Sequence, residues 1–459
     1  MGAAVFSIPY FLLSILYYLI NMKIIIIGGG FGGLKLARSL NNKPGVDVIL
    51  LDRFNYHQFQ PLFYQVATAA LDASNISFPL RKVFHKSSNV HIRLGKLEQV
   101  IPEENTIRTT IGDFSYDVLV LAMGGDTNFF GNAEMAAAAY RMKATTEALQ
   151  IRNSLIENFE HTVLVEGDAA REKYLTIVVV GGGPTGVELS GAIAEMRKFV
   201  LPKDYPEIDF SKMKIYLLEG SPKTLAAMSE KSSKESREYL EEIGVTVMTN
   251  TVVKNYDGTT VTLQNGQTIV SNTVIWAAGI KGNVPQGINP GLIMKGNRIK
   301  VDRNHKMSGS DNIYVIGDLA WMETPKYPQG HPQLASAAIQ QGKHLAQYLL
   351  WMADGGKAPG DFEYFDKGTM ATVGRNKAVV DIPKPKLHLG GFFAWMIWMS
   401  LHLMLILGVK NRLFVFLNWL YNYVTYDQSL RLMFREFNKP GKEISNKESG
   451  SIVQNSFPP

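Results

Sequence analysis

The sequence predicts an α/β protein built from two strand–glycine-turn–helix units, followed by a long apolar segment near the C-terminus. Three observations carry that prediction. The run Lys23-Ile24-Ile25-Ile26-Ile27 leads directly into a glycine cluster and then into LKLARSL, whose apolar residues fall at helical spacing. The pattern recurs at Leu175-Thr176-Ile177-Val178-Val179-Val180. Residues 387–409 contain no Asp, Glu, Lys or Arg. A near-continuous β-branched run is the signature of a parallel strand buried on both faces.

In the first unit Gly28, Gly30 and Gly33 fill the spacing GxGxxG, with Phe31 among them. The first glycine permits a tight turn, and the second lets the backbone approach a pyrophosphate. The third lets helix and strand pack closely, with the helix N-terminus facing the phosphates. A second strand, VDVILL, ends at Asp52, where an acid accepts hydrogen bonds from an adenosine ribose.

In the second unit Gly181, Gly183 and Gly186 take the same places before the helix VELSGAIAEM, and the strand MKIYLLEG reaches Glu219. A carboxylate there favours the free 2′-hydroxyl of NAD(H) and repels the 2′-phosphate of NADP(H). No arginine directly follows Glu219, so NADH is the expected ligand. Two Rossmann-like folds in one chain imply two dinucleotides, one held and one exchanged. Hydride transfer from nicotinamide to flavin joins them, because a flavin can then release electrons singly or in pairs.

Composition narrows the chemistry. The chain of 459 residues has room for two or three domains, and 46% hydrophobic with 19% charged residues describes a packed protein. A net charge of +6 and a pI near 9.0, without any Lys/Arg run, favour lipid head groups over nucleic acid. The absence of cysteine excludes disulfides, Cys-ligated zinc, iron–sulfur clusters and thiol nucleophiles. The histidines form no HExxH, so no metal site is expected, and no GxSxG elbow is present. Residues 5–20 are strongly apolar but short for a membrane span, and no Lys or Arg precedes Lys23. Residues 1–21 therefore read either as an extra membrane-touching helix or as an upstream extension ahead of Met22.

With these motifs in place the chain resembles the two-dinucleotide-binding-domain flavoproteins, and more closely the type II, non-proton-pumping NADH:quinone oxidoreductases, over residues 22–435. Residues 53–67, which include Arg53 and Gln60, are similar to the family segment that lies along the flavin. Residues 117–124, ending at Gly124, and 273–279, ending at Ala278 and Gly279, resemble the two crossovers between domains. Residues 313–318 resemble the second FAD fingerprint, which delivers Gly317 and Asp318 to the ribityl chain. Relatives that reduce disulfides or oxidise sulfide need cysteines and are excluded.

The resemblance implies FAD as the held cofactor and NADH as substrate. It implies contact of Ala335 with FAD and, beside the helix that opens there, a quinone pocket lined by Ser336, Gln340 and Gln341. Ser336 stands where the family has glutamine, and its shorter hydroxyl reaches a quinone oxygen only through water or a shifted ring. Glu188 and Lys367 match family residues placed near the active site as proton-handling or charge-compensating groups. Their plainer readings are a carboxylate favoured by a helix N-terminus and an exposed ion pair with Asp366.

The charge-free run 387–409 is long enough to span a bilayer, and residues 413–424 are too short to do so. Trp395, Trp398, Trp419, Tyr421 and Tyr423 suit a headgroup interface. A pair of helices lying on the membrane is expected, with dimerisation through the same segment as the other use for an apolar face. Arg431, Arg435 and Lys439 fall at helical spacing and read either as a face toward anionic lipid or as a solvated face, and 438–459 is a polar tail.

The expected organisation is a FAD domain at 22–130 and 290–385, an NADH domain at 131–289 and membrane-anchoring helices at 386–437. The expected function is electron transfer from NADH through FAD to a membrane quinone without proton pumping, peripheral to the membrane on its cytoplasmic face. A flavin reductase of a soluble carrier and a membrane-docked NADH sensor are the competing readings.

Overall fold

The computed structural model describes residues 21–433. The apolar stretch 5–20, Arg435, Lys439 and the polar tail lie outside the described residues.

The chain begins with β1 (Met22–Ile27), α1 (Phe31–Leu40), β2 (Val46–Asp52), β3 (Val90–Leu94) and β4 (Val118–Leu121). It then crosses into a second layer of α2 (Thr145–Leu164), β5 (Thr176–Val180), α3 (Pro184–Phe199), β6 (Lys214–Leu218), α4 (Glu230–Glu242), β7 (Thr246–Met248) and β8 (Thr273–Trp276). This second sheet is parallel, in the order β7-β6-β5-β8. The chain returns through Ile280–Gly282, which pairs antiparallel with the outgoing Gly125–Thr127. It then adds β9 (Ile313–Val315) to the first sheet, giving the parallel order β9-β4-β1-β2-β3. Helix α5 (Ala335–Asp354) packs on α1, where Gly342 comes so close that an added Cβ would sit 2.4 Å from the Gly32 carbonyl oxygen.

The isoleucine run at β1 has a two-sided explanation. Side chains alternate across a strand. Ile25 and Ile27 enter one hydrophobic cluster while Ile24 and Ile26 enter another on the opposite face. Strand β5 repeats this, with Ile177 and Val179 on one side and Val178 and Val180 on the other. A polar residue at any of these positions would be buried without a partner, which costs roughly 1–3 kcal/mol or more.

After α5 comes an antiparallel sheet of β10 (Thr369–Thr372), β11 (Ala378–Ile382) and β12 (Leu387–Gly390). It packs on α3, α4 and α6 (Gly391–Leu405), and α7 (Val409–Thr425) follows. The charge-free run 387–409 is thus not one helix. It opens as strand, continues as a helix of 15 residues and breaks at Ile406–Gly408. Among the described residues no helix is long and apolar enough to cross a membrane. Two of the aromatics expected at a headgroup interface point inward instead. Trp398 and Trp419 are buried in the same cluster as α3 and the short helix Phe63–Ala67. The outer faces of α6 and α7 remain apolar and open, with Phe393, Met404, Val409 and Val424 each more than two-thirds exposed.

Gly408 makes the break between α6 and α7. Its φ is +81°, and an added Cβ would lie 2.5 Å from the Phe78 ring. Gly408→Val is expected to cost about 1–3 kcal/mol of stability, read as a lower thermal unfolding midpoint.

Candidate active site

Two nucleotide cradles share one geometry. Gly28 and Gly181 hold φ at +106° and +111°. A Cβ on Gly33 would lie 1.9 Å from the Gly28 carbonyl oxygen, and one on Gly186 would lie 1.9 Å from that of Gly181. Each helix can therefore press its first turn onto the strand end only because the residue is glycine. At Gly30 and Gly183 an added Cβ meets nothing within 4 Å, so the turn presents bare backbone to open space. The acids at the strand ends behave alike. Asp52 Oδ2 accepts the Gly29 N–H at 2.5 Å and Oδ1 accepts that of Phe54 at 2.7 Å. Glu219 Oε2 accepts the Gly182 N–H at 2.5 Å and Oε1 that of Ser221 at 2.7 Å. A dinucleotide pyrophosphate fits each cradle.

The other sequence-predicted FAD residues gather at the C-terminal ends of the first sheet, where ligands bind in open α/β sheets. Phe31 begins α1 and stacks edge-on against His57, whose Nδ1 is 2.9 Å from the Gly29 carbonyl. Arg53 is exposed on the loop after β2, and Gln60 is exposed at the start of a 3-10 turn, Gln60–Leu62. Gly124, at φ +64°, faces open space. Gly317 donates its N–H to Gln341 Oε1 at 2.7 Å, which ties the fingerprint loop to α5 beyond its first residue, Ala335. Burial pushes the Asp318 carboxyl up, while Lys143 and Arg298 pull it back down. Sequence reasoning missed Lys143, which precedes α2 in no recognisable motif. In the second unit Ala278 and Gly279 follow β8, and a Cβ on Gly279 would meet the Phe130 ring at 2.8 Å.

A cavity of about 140 Å³ opens between α3, the helix Phe63–Ala67, the turn after β10, and helices α6 and α7. Tyr64, Trp395, Trp398, Trp419 and Tyr423 give it aromatic walls, and Glu188 and Glu195 project from α3. Glu188 is not at a solvated helix end. It is 7% exposed, and its Oε1 accepts the Thr372 N–H at a long 3.4 Å. The Trp398 indole N–H also lies near and favours the charged form, though it falls outside strict hydrogen-bond geometry. Desolvation dominates and pushes Glu188 up to about 8. The part-buried Glu195 is pushed up to about 7 by the same cause, against the Arg375 N–H that it accepts at 2.5 Å.

The residues expected to line a quinone pocket from α5 each hydrogen-bond within the protein. Ser336 Oγ is 2.8 Å from the Tyr364 hydroxyl. Gln340 both donates to the Phe365 carbonyl at 2.9 Å and accepts its N–H at 3.1 Å. Gln341 is buried and holds Gly317. Lys367 is exposed, and Asp366 accepts the Gly368 N–H at 2.9 Å, closing a turn. Glu195 was missed although its signal was in the sequence, two helical turns beyond Glu188 on the same face.

Gly33→Ala is expected to yield protein without bound flavin absorbance. Gly186→Ala should retain that absorbance and bind NADH at least about tenfold more weakly, by the kilocalories a misplaced cradle forfeits, in a titration. A second outcome follows from Glu188. Its folded pKa of about 8 lies above the ordinary 4.5, so its contribution to stability is full below 4.5 and lost as pH rises through 8. Glu188→Gln should flatten the decline of the unfolding midpoint across that window.

Comparison with known proteins agrees with this geometry. Residues 22–342 match the pyridine nucleotide-disulphide oxidoreductase family model, and residues 367–425 match the NDH2 C-terminal domain. The type II NADH:quinone oxidoreductase NdhA of Mycobacterium tuberculosis is 33% identical over 413 residues, 86% of each chain. The type II NADH:quinone oxidoreductase of Haemophilus influenzae is 28% identical, over 83% of this chain and 93% of the relative. The fold of NDH2 from Plasmodium falciparum, solved in complex with NADH, superposes with a TM-score of 0.81 at 21% identity, over 90% of this chain and all of that one. With these matches over most of its length, the chain belongs to the type II NADH:quinone oxidoreductase family.

Proposed function

We propose that this protein oxidises NADH and reduces a membrane quinone by way of bound FAD. The observation that carries this reading is the aromatic, acid-lined cavity between the nucleotide-binding core and the apolar helices α6 and α7. FAD, when bound, supplies a carrier that takes two electrons from a nicotinamide and gives them to a quinone. The residues of this chain position and desolvate. The Gly28–Gly33 turn and Asp52 hold FAD at one end, and Gly124, Gly317 and Asp318 at the other. The Gly181–Gly186 turn and Glu219 hold NADH, and Glu219 selects it over NADPH through the ribose.

Helix α3 joins the two half-reactions. Its N-terminus is the NADH cradle, and its inner face carries Glu188 into the cavity. The quinone head group enters this cavity from the membrane side, against Tyr64 and Trp398. Ser336, Gln340 and Gln341 support the flavin side of the site through Tyr364, Phe365 and Gly317. Glu188, largely protonated at neutral pH, offers a proton where quinol forms. Lys367 acts at longer range as a compensating charge.

The exposed faces of α6 and α7 dock on the lipid surface of the cytoplasmic leaflet. Arg431, expected at the head groups, instead pairs with Asp204 and Asp427 and is spent within the protein. The same faces could instead pair two copies. No transmembrane proton path is read from the sequence, and no pumping is proposed.

Stopped-flow spectroscopy tests the reading. Excess NADH should bleach the flavin band, and a short-chain quinone should then restore it. Bleaching without recovery would leave the NADH and flavin assignments standing and sink the quinone assignment, in favour of a soluble carrier or a sensor.

A further inference from the structure

We infer that Glu195 is the entry point for the proton that quinone reduction draws from water, relaying it along α3 toward Glu188. The inference rests on the quinone reading above. Oxidation of NADH breaks one C–H bond and releases a hydride, which carries two electrons and one proton. Forming quinol makes two O–H bonds, so each turnover takes up one further proton from the solvent. That proton has to reach a cavity closed in by aromatic side chains.

Glu195 stands seven residues after Glu188 on the same face of α3, about 10 Å further along the axis. Both carboxyls line the one cavity, but Glu188 is buried while Glu195 keeps partial access to solvent. One Glu195 oxygen accepts the Arg375 N–H, and the carboxyl makes no other hydrogen bond among the described residues. The Arg375 guanidinium is occupied elsewhere. It stacks between Tyr423 and Tyr426, at 3.9 and 3.8 Å from their ring centres, and donates to the Tyr423 carbonyl. Glu195 is therefore held in place by backbone, with an acid group free to exchange a proton.

The groups that face Glu195 are Lys198 on its own helix, Arg375 after β10, Tyr64 on the helix Phe63–Ala67, and Asp427 beyond α7. Direct transfer across 10 Å is too far, so water carries the proton through a cavity that is roomy and polar enough to hold it. The Tyr64 hydroxyl, fixed by Gln65 at 2.9 Å, feels both carboxyls and lies on the route. Burial raises Glu195 to about 7, where it can both release and regain a proton near neutrality.

Glu195→Gln keeps the acceptor for Arg375 and removes the proton. In stopped-flow measurements on the full chain in detergent, NADH should bleach the flavin at the wild-type rate. Recovery with a short-chain quinone should slow on the order of tenfold to a hundredfold, and its fall in rate as pH rises through about 7 should disappear. Glu195→Asp should restore part of the rate and the pH dependence. An unchanged pH profile in Glu195→Gln, or equal slowing of both half-reactions, would show a structural role and overturn the relay. Failure of the wild-type protein to be reoxidised by quinone would bring down the functional reading itself, and the relay with it.

Discussion

The close approach of a helix to a strand end, made twice, is the constraint on which the rest of the molecule depends. Gly33 and Gly186 each sit where a single methyl group would collide with a carbonyl oxygen at 1.9 Å. That contact lets a helix N-terminus arrive at the strand end with its unpaired N–H groups facing outward, which is what makes the position attractive to phosphate. The strands bearing these turns are fixed from both sides, because alternate side chains of β1 and β5 feed separate hydrophobic clusters. A shift of one residue in either strand would bring the glycines out of register with their helices.

Helix α3 converts this rigidity into chemistry. Its first turn belongs to a nucleotide cradle, and its next turns project Glu188 and Glu195 into a cavity walled by aromatic residues. Desolvation then does to both carboxyls what no nearby cation fully offsets, and raises them toward neutrality. Acid groups of this kind suit a reaction that consumes protons. Because the two functions lie on one helix, a distortion at the cradle would displace the carboxyls as well.

The C-terminal helices divide their apolar residues between two tasks. Ala394, Trp398 and His402 on α6 and Val415 and Trp419 on α7 seal the helices to the body of the protein. His402 stacks on Trp398 with ring centres 4.0 Å apart, and burial keeps it low, at about 4, so it remains neutral there. The remaining faces stay open. These faces are apolar on helices that, among the described residues, are not long and apolar enough to cross a membrane, and exposed apolar surface of this extent usually marks an interface.

By itself the sequence determined the two Rossmann-like units, their glycine turns, the terminal acids Asp52 and Glu219 and the apolar C-terminus. These are legible because local backbone geometry and strand burial restrict residue type at fixed spacing. The Gly317-Asp318 fingerprint was legible only through the resemblance to a known family. Only the tertiary structure decided which side of the apolar run faces inward, because helical spacing alone does not separate a sealing Trp398 from an exposed Phe393 in a helix apolar all round. It also decided that α5 spends Ser336, Gln340 and Gln341 on protein hydrogen bonds, and that Glu195 shares a cavity with Glu188. Cavities form between elements far apart in the chain, here residues 64, 188, 372 and 398. The desolvation that gives those carboxyls their chemistry exists only once these elements have packed together.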